Sequence, residues 1–218
     1  MVAVVETSPT PRRKLSRVER RLQLIEATIS VIAENGFART TLGEVAKRAG
    51  LSHGLANFHF ESKDKLLAAT LEHLSDEYRA NWQAALAVAG PHPADRIAAL
   101  IEADFTPAIC TADRLAAWCA FWGEAQSRPM YQDVCGQNDE EYQGVLEGFC
   151  RDLLADGGYG GDAVRVARVL RVTTEGVWLD LMTLQSPYSR DEARATVLAA
   201  AAAFFPRHFG PDGRLAGA

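Results

Sequence analysis

The sequence predicts an all-α protein, with a three-helix helix-turn-helix unit near its N-terminus and a larger helical bundle after it. Two observations carry this. Apolar residues recur at three- and four-residue intervals along almost the whole chain, with nothing that reads as a strand. Near residue 50, two helical patterns of barely two turns each meet at a glycine.

The elements follow in order. Ser16-x-x-Glu19 is a capping box, after which Leu22, Ile25, Ile29 and Ile32 mark a first helix ended by Gly36. Thr41-x-x-Glu44 opens a short helix that runs through Ala49 and stops at Gly50, and Ser52 caps a third. From Ser62, the residues Leu66, Leu67, Thr70, Leu71, Leu74 and Tyr78 trace a long amphipathic helix to about Ala89, where Gly90-Pro91-His92-Pro93 breaks it. Further helices are expected at 94–105, 112–127, 129–156, 163–185 and 190–206, the last two capped by Asp162 and by Ser189-x-x-Glu192. The expected division is an arm at 1–15, a helix-turn-helix unit at 16–62, a larger helical unit at 63–210, and a frayed tail at 211–218.

Composition narrows the function. Val197 to Phe205, the longest apolar run, has nine residues, half of the roughly 18 needed to cross a bilayer. No charged start followed by an apolar stretch suggests a signal peptide, so the cytoplasm is the expected location. Cys110, Cys119, Cys135 and Cys150 form no C-x-x-C pair and read as reduced, packed thiols. The five histidines are scattered, and neither a nucleophile elbow nor a phosphate-binding glycine loop is present, so an all-α enzyme has little support. No metal or cofactor is expected. The net charge of −5 divides unevenly: residues 1–67 carry 11 Lys+Arg against 7 Asp+Glu, the remainder 12 against 21. A basic module ahead of an acidic body fits contact with phosphates at the N-terminal end only.

In the helix-turn-helix, Val45, Ala46 and Ala49 offer a small apolar inner face, Gly50 permits the turn, and Leu51 plugs the corner. The third helix then presents His53, Gly54, Asn57 and Phe58 to a major groove, with Gly54 allowing close backbone approach and Asn57 able to pair with adenine. Phosphate oxygens suit Thr40, Thr41, Ser52, His59, Lys63 and the arm cations Arg12, Arg13 and Lys14. Phe58 and Phe60 are equally compatible with core positions, and Asn57 and His53 with a solvated face.

The stretch Thr40 to Leu71 resembles the TetR family of repressors, which place a threonine before the second helix, A-G-[VL]-S-x-G at the turn, and an aromatic run ending in F-x-x-K-x-x-L-L. Here those marks are Thr41, Ala49 to Gly54, Phe60, Lys63, Leu66 and Leu67. The family usually has tyrosine, a phosphate contact, at the position of Asn57, so whether Asn57 reads a base or a phosphate stays open.

In the acidic body, Trp118, Phe121 and Trp122 share one helical face, and Met130, Tyr131, Tyr142 and Trp178 come from neighbouring helices. Plain core packing explains any one of them. Together with the acids Asp104, Glu124, Glu175 and Asp180 they compose a candidate cage for an organic cation, which tryptophan faces and nearby negative charge attract. Phe105 and Asn138 complete the candidate effector set. Ala116 to Tyr142 and Thr174 to Leu184 resemble the BetI subgroup of choline-responsive repressors, which implies a quaternary ammonium effector. The family resemblance also implies a homodimer through the last two helices, where Ala193, Ala195, Ala199, Ala200 and Ala203 allow close packing, and a pseudo-palindromic DNA operator. A DNA-binding dimer insensitive to any effector is the alternative.

Overall fold

The computed structural model describes residues 16–125, 129–210 and 212–215. Within them the chain forms α1 (Arg17–Asn35), α2 (Leu42–Arg48), α3 (His53–Phe60), α4 (Lys63–Val88), α5 (Pro93–Asp104), α6 (Ala112–Ala125), α7 (Pro129–Asp156), α8 (Ala163–Thr183) and α9 (Arg190–Phe204). Arg12, Arg13 and Lys14 lie outside the described residues.

Helix starts coincide with side chains that satisfy the free N–H groups of a first turn. Ser16 and Glu19 close a full capping box, and Thr41, Ser52, Ser62, Asp162 and Ser189 accept from backbone N–H groups at the starts of α2, α3, α4, α8 and α9. One expectation fails. The tail expected to fray from 211 is instead paired in part: Phe209–Gly210 runs antiparallel to Gly213–Arg214 in a short hairpin. Gly213, at φ +131°, supplies the backbone conformation that this turn needs.

Three apolar clusters hold the fold together. The first packs α1, α2, α3 and the start of α4 around Leu24, Val45, Ala56, Phe60 and Leu66. The largest fills the bundle of α4, α5, α7, α8 and α9. Between them, Ile29, Ile32 and Phe37 meet Leu67, Leu71, Trp118 and Phe121. This third cluster makes a dry joint, so the N-terminal unit cannot tilt without disturbing α4 and α6. Polar links lie beside it: Ser30 on α1 donates to Asp113 on α6 at 3.0 Å, and Arg114 reaches both Glu26 on α1 (3.3 Å) and Glu77 on α4 (2.7 Å).

Candidate nucleic-acid interface and effector pocket

The turn between α2 and α3 follows from its sequence. Gly50 adopts φ +66°, the Leu51 N–H bonds to the Ala46 carbonyl at 2.9 Å, and the Gly50 N–H bonds to that of Lys47 at 3.1 Å. This is a Schellman ending, which a side chain at position 50 would strain. Gln23 on α1 donates to the Ala49 carbonyl at 2.7 Å and pins the turn from behind. Helix α3 is thereby held with Ala56 and Phe60 buried and with His53, Gly54, Asn57 and Phe58 exposed. Thr41 and Ser52 are exposed caps at the same surface.

Three of the proposed phosphate contacts are placed differently from the expectation. Thr40 is fully buried, and its hydroxyl donates to the Gly36 carbonyl at 3.0 Å, so it shapes the α1–α2 turn from inside. The Lys63 ammonium donates to the carbonyls of Phe37 and Ala38, at 3.1 and 3.0 Å, which commits two of its three donors to tying α4 to that turn. His59 is only half-exposed; burial, aided by Arg17, Arg21 and Arg20, lowers its pKa, so it offers a neutral ring at pH 7.

Sequence reasoning missed the cations that do gather beside α3. Arg17 lies 5.4 Å from the centre of the exposed Phe58 ring. Arg21 lies 4.3 Å from that of Phe60 and donates to the His59 carbonyl at 3.4 Å. The signal was Arg17-x-x-Arg20-Arg21, one basic face on the first turns of α1.

In the body, a cavity of about 890 Å³ opens between α4, α5, α6, α7 and α8. Of the expected effector residues, Asp104, Trp118, Trp122, Tyr131, Tyr142, Glu175 and Trp178 line it. Trp122 and Trp178 are stacked with centroids 6.3 Å apart and planes within 8°, Trp118 tilts against Trp122 at 6.1 Å, and Tyr78 meets Trp178 edge-on at 6.0 Å. At these spacings the rings touch one another. Pairs this close leave no room for an organic cation between them, so the face of the cluster open to a ligand is its cavity side.

Six expected residues lie elsewhere. Phe121 is one helical step from Trp122, roughly 100° around α6, and that turn sends it into the joint, edge-on to Phe37 at 5.4 Å. Met130 packs against the same cluster. Phe105, just past the end of α5, turns into the bundle core. Asn138 donates to Ser75 Oγ at 2.8 Å and ties α7 to α4. Glu124 and Asp180 do not line the cavity either, and Asp180 accepts from the Tyr188 hydroxyl at 3.1 Å. Tyr78 was missed as a pocket residue because its place in the α4 apolar stripe read as core.

Tyr78 donates to Asp104 Oδ1 at 2.9 Å and Tyr142 to Oδ2 at 3.5 Å. Burial pushes the Asp104 carboxyl up to about 7 against the opposing pull of those two hydroxyls. The cavity wall carries five acids, Asp104, Asp139, Glu140, Glu147 and Glu175, against two arginines, Arg168 and Arg171, and Arg171 is paired with Glu175. An aromatic cluster with surplus negative charge suits a cation whose own charge is buried with it.

Known proteins share both parts. The family model for the C-terminal domain of BetI-type transcriptional repressors matches residues 93–206, and that for bacterial regulatory proteins of the tetR family matches residues 24–70. An HTH-type transcriptional regulator BetI of Paraburkholderia phymatum is 33% identical over 165 residues, which span 75% of this chain and 81% of that protein. The crystal structure of a putative transcriptional regulator from Pseudomonas aeruginosa PAO1, at 27% identity, superposes with a TM-score of 0.75 over 88% of this chain and 93% of its own. A putative regulator from Saccharomonospora viridis, solved in complex with choline, has the same fold at 21% identity and a TM-score of 0.73, over 83% of this chain and 94% of its own. With a helix-turn-helix on one side of the dry joint and a BetI-type bundle on the other, the chain belongs to the TetR family of DNA-binding transcriptional repressors.

Proposed function

We propose that this repressor releases its operator when an organic cation of the quaternary ammonium class enters the cavity beside Trp118, Trp122 and Trp178. The observation that carries this reading is the pairing of three tryptophans with the buried Asp104 carboxyl in one cavity. A quaternary ammonium group donates no conventional hydrogen bond, so ring faces and a carboxylate are its natural recognition surface. The choline bound to the Saccharomonospora viridis protein supports the same class.

The working form is a homodimer built on α8 and α9. Val169, Val172, Gly176 and Leu179 make an exposed stripe at three- and four-residue spacing on α8, next to the small exposed Ala199 and Ala203 of α9. A two-fold pair would place its two α3 helices about 34 Å apart, as two half-sites of a pseudo-palindrome require. Ligand in the cavity touches α4 through Tyr78 and α6 through Trp118 and Trp122, and both helices abut α1 across the dry joint. A shift of either changes the separation of the α3 helices.

The test uses the full chain and DNA from its own genomic neighbourhood. Choline is expected to quench tryptophan emission and weaken the DNA shift, and Trp122→Leu is expected to weaken both responses. Unchanged emission and an unchanged shift at millimolar choline would eliminate this ligand class. Failure of any neighbouring fragment to compete better than random DNA would sink specific operator binding itself.

A further inference from the structure

At the start of α5, opposite the Asp104 end, three groups that the effector pocket does not use come together. His92 precedes α5, Asp156 ends α7, and His208 lies in the turn after α9. Their nearest ligand atoms are His92 Nε2 to Asp156 Oδ2 at 3.4 Å and His208 Nε2 to the same oxygen at 3.6 Å, and the two rings stack at 5.4 Å. These distances exceed a good N–H···O hydrogen bond, which falls at roughly 2.7–3.2 Å. They match the edge of a tetrahedron about 3.4 Å long, which is set by zinc bonds of roughly 2.1 Å to imidazole nitrogen and carboxylate oxygen.

We propose that His92, Asp156 and His208 bind a divalent transition-metal ion, zinc by ligand chemistry, which clips the end of α9 to α5 and α7. Two imidazoles and one carboxylate supply three positions, and the half-exposed His92 and exposed Asp156 leave a solvent path for entry and for a water in the fourth. The surrounding contacts fit. His208 Nδ1 lies 2.8 Å from the Tyr159 hydroxyl, whose oxygen also accepts the Arg207 N–H at 3.0 Å. With Nδ1–H donated to that oxygen, the Nε2 lone pair points to the metal. The nearest cations are already engaged, Arg214 with Asp95 at 2.7 Å and Arg207 over the Tyr159 ring at 4.8 Å. His92 contributes at the loss of one bond: its Nδ1 accepts the Ala94 N–H at 3.1 Å, and ligation through Nε2 moves the ring proton to Nδ1. Pro93 holds the first turn of α5 in helical geometry regardless.

A second cluster, Glu26, His73 and Glu77, shows the contrast. There His73 Nε2 is 3.0 Å from Glu26, a hydrogen bond, and the Arg114 guanidinium already supplies the positive charge. No metal is assigned to it.

The test uses the full chain without a histidine tag, freed of metal and titrated with Co²⁺. One equivalent is expected to produce the intense visible absorption of tetrahedral cobalt, and zinc to bleach it. Asp156→Asn and His92→Gln, both at accessible positions, are each expected to weaken binding at least tenfold, roughly the effect of disturbing a metal's surroundings. Zinc is expected to raise the melting temperature of the parent chain but not of the double variant, whose circular dichroism stays that of the parent. Absence of the tetrahedral spectrum, or affinity unchanged in both variants, would overturn the assignment.

Discussion

Arg114 on α6 reaches across the dry joint to Glu26 on α1, with its guanidinium 3.3 Å from Glu26 Oε1. The same side chain holds Glu77 on α4 at 2.7 Å, so one residue connects the DNA-reading unit to two of the helices that line the effector cavity. The Glu26 carboxylate is held below its usual range, first by the hydrogen bond from His73 and then by the Arg114 charge. Arg114→Met is expected to cost about 2 kcal/mol of stability by leaving two half-buried carboxylates short of a partner. It is also expected to shrink the ratio of operator affinities without and with choline, while choline affinity changes little. Operator shifts and fluorescence titrations on the same preparation separate these. A ratio equal to that of the parent would exclude Arg114 from the coupling.

Asp104 predicts a pH dependence with a definite sign. Its carboxyl titrates near 7 in the folded chain, so it is mostly protonated at pH 6 and mostly charged at pH 8. A cation is favoured by the charged form, and its affinity should therefore rise through that interval by up to about tenfold, then level off. Asp104→Asn retains a side-chain oxygen for Tyr78 but cannot ionise. It is expected to bind choline weakly at every pH, with the rise across 6 to 8 cut to the roughly twofold that Asp139, whose carboxyl burial pushes up to about 6, can supply. A steep profile in the variant would transfer the effect to another group.

The helix starts were legible because each is written locally, in one polar residue and the spacing behind it, as at Ser16, Thr41 and Ser189. The cavity was legible only as composition. On α6 the sequence shows Trp118, Phe121 and Trp122 on one face, and nothing in it says that α1 and the Phe37 turn pack against that face on the Phe121 side. Tyr78 shows the converse: an apolar-stripe residue becomes a pocket donor only because Asp104, 26 positions along the chain, folds back to meet it. Thr40 and Lys63 read as phosphate contacts because a hydroxyl or an ammonium that faces outward looks the same in sequence as one that turns in to a backbone carbonyl, until the α1–α2 turn is in place.

Asn57 is exposed on α3 beside Gly54 and His53, on the face that a groove would meet. Read as a base contact, Asn57→Ala is expected to lower operator affinity by about 1–3 kcal/mol per half-site while leaving binding to random DNA almost unchanged. A uniform loss on all sequences, with the salt dependence unchanged because asparagine carries no charge, would reassign it to the backbone.

The exposed stripe on α8 bears on DNA binding although it lies in the body, far along the chain from α3. Val172 is 50% and Leu179 49% exposed, an unusual position for two large apolar groups one helical face apart unless a second surface covers them. Placing a charge on each copy, as in Val172→Asp with Leu179→Glu, puts like charges together across a two-fold axis. The double variant is expected to sediment as a folded monomer with unchanged circular dichroism, because neither side chain belongs to the monomer core. Operator affinity is expected to fall by at least tenfold, since a monomer engages a single half-site and gains nothing from the second. Retention of a dimer by the variant would move the interface off α8, and a monomer that still binds the full operator as tightly as the parent would remove dimerisation from the mechanism.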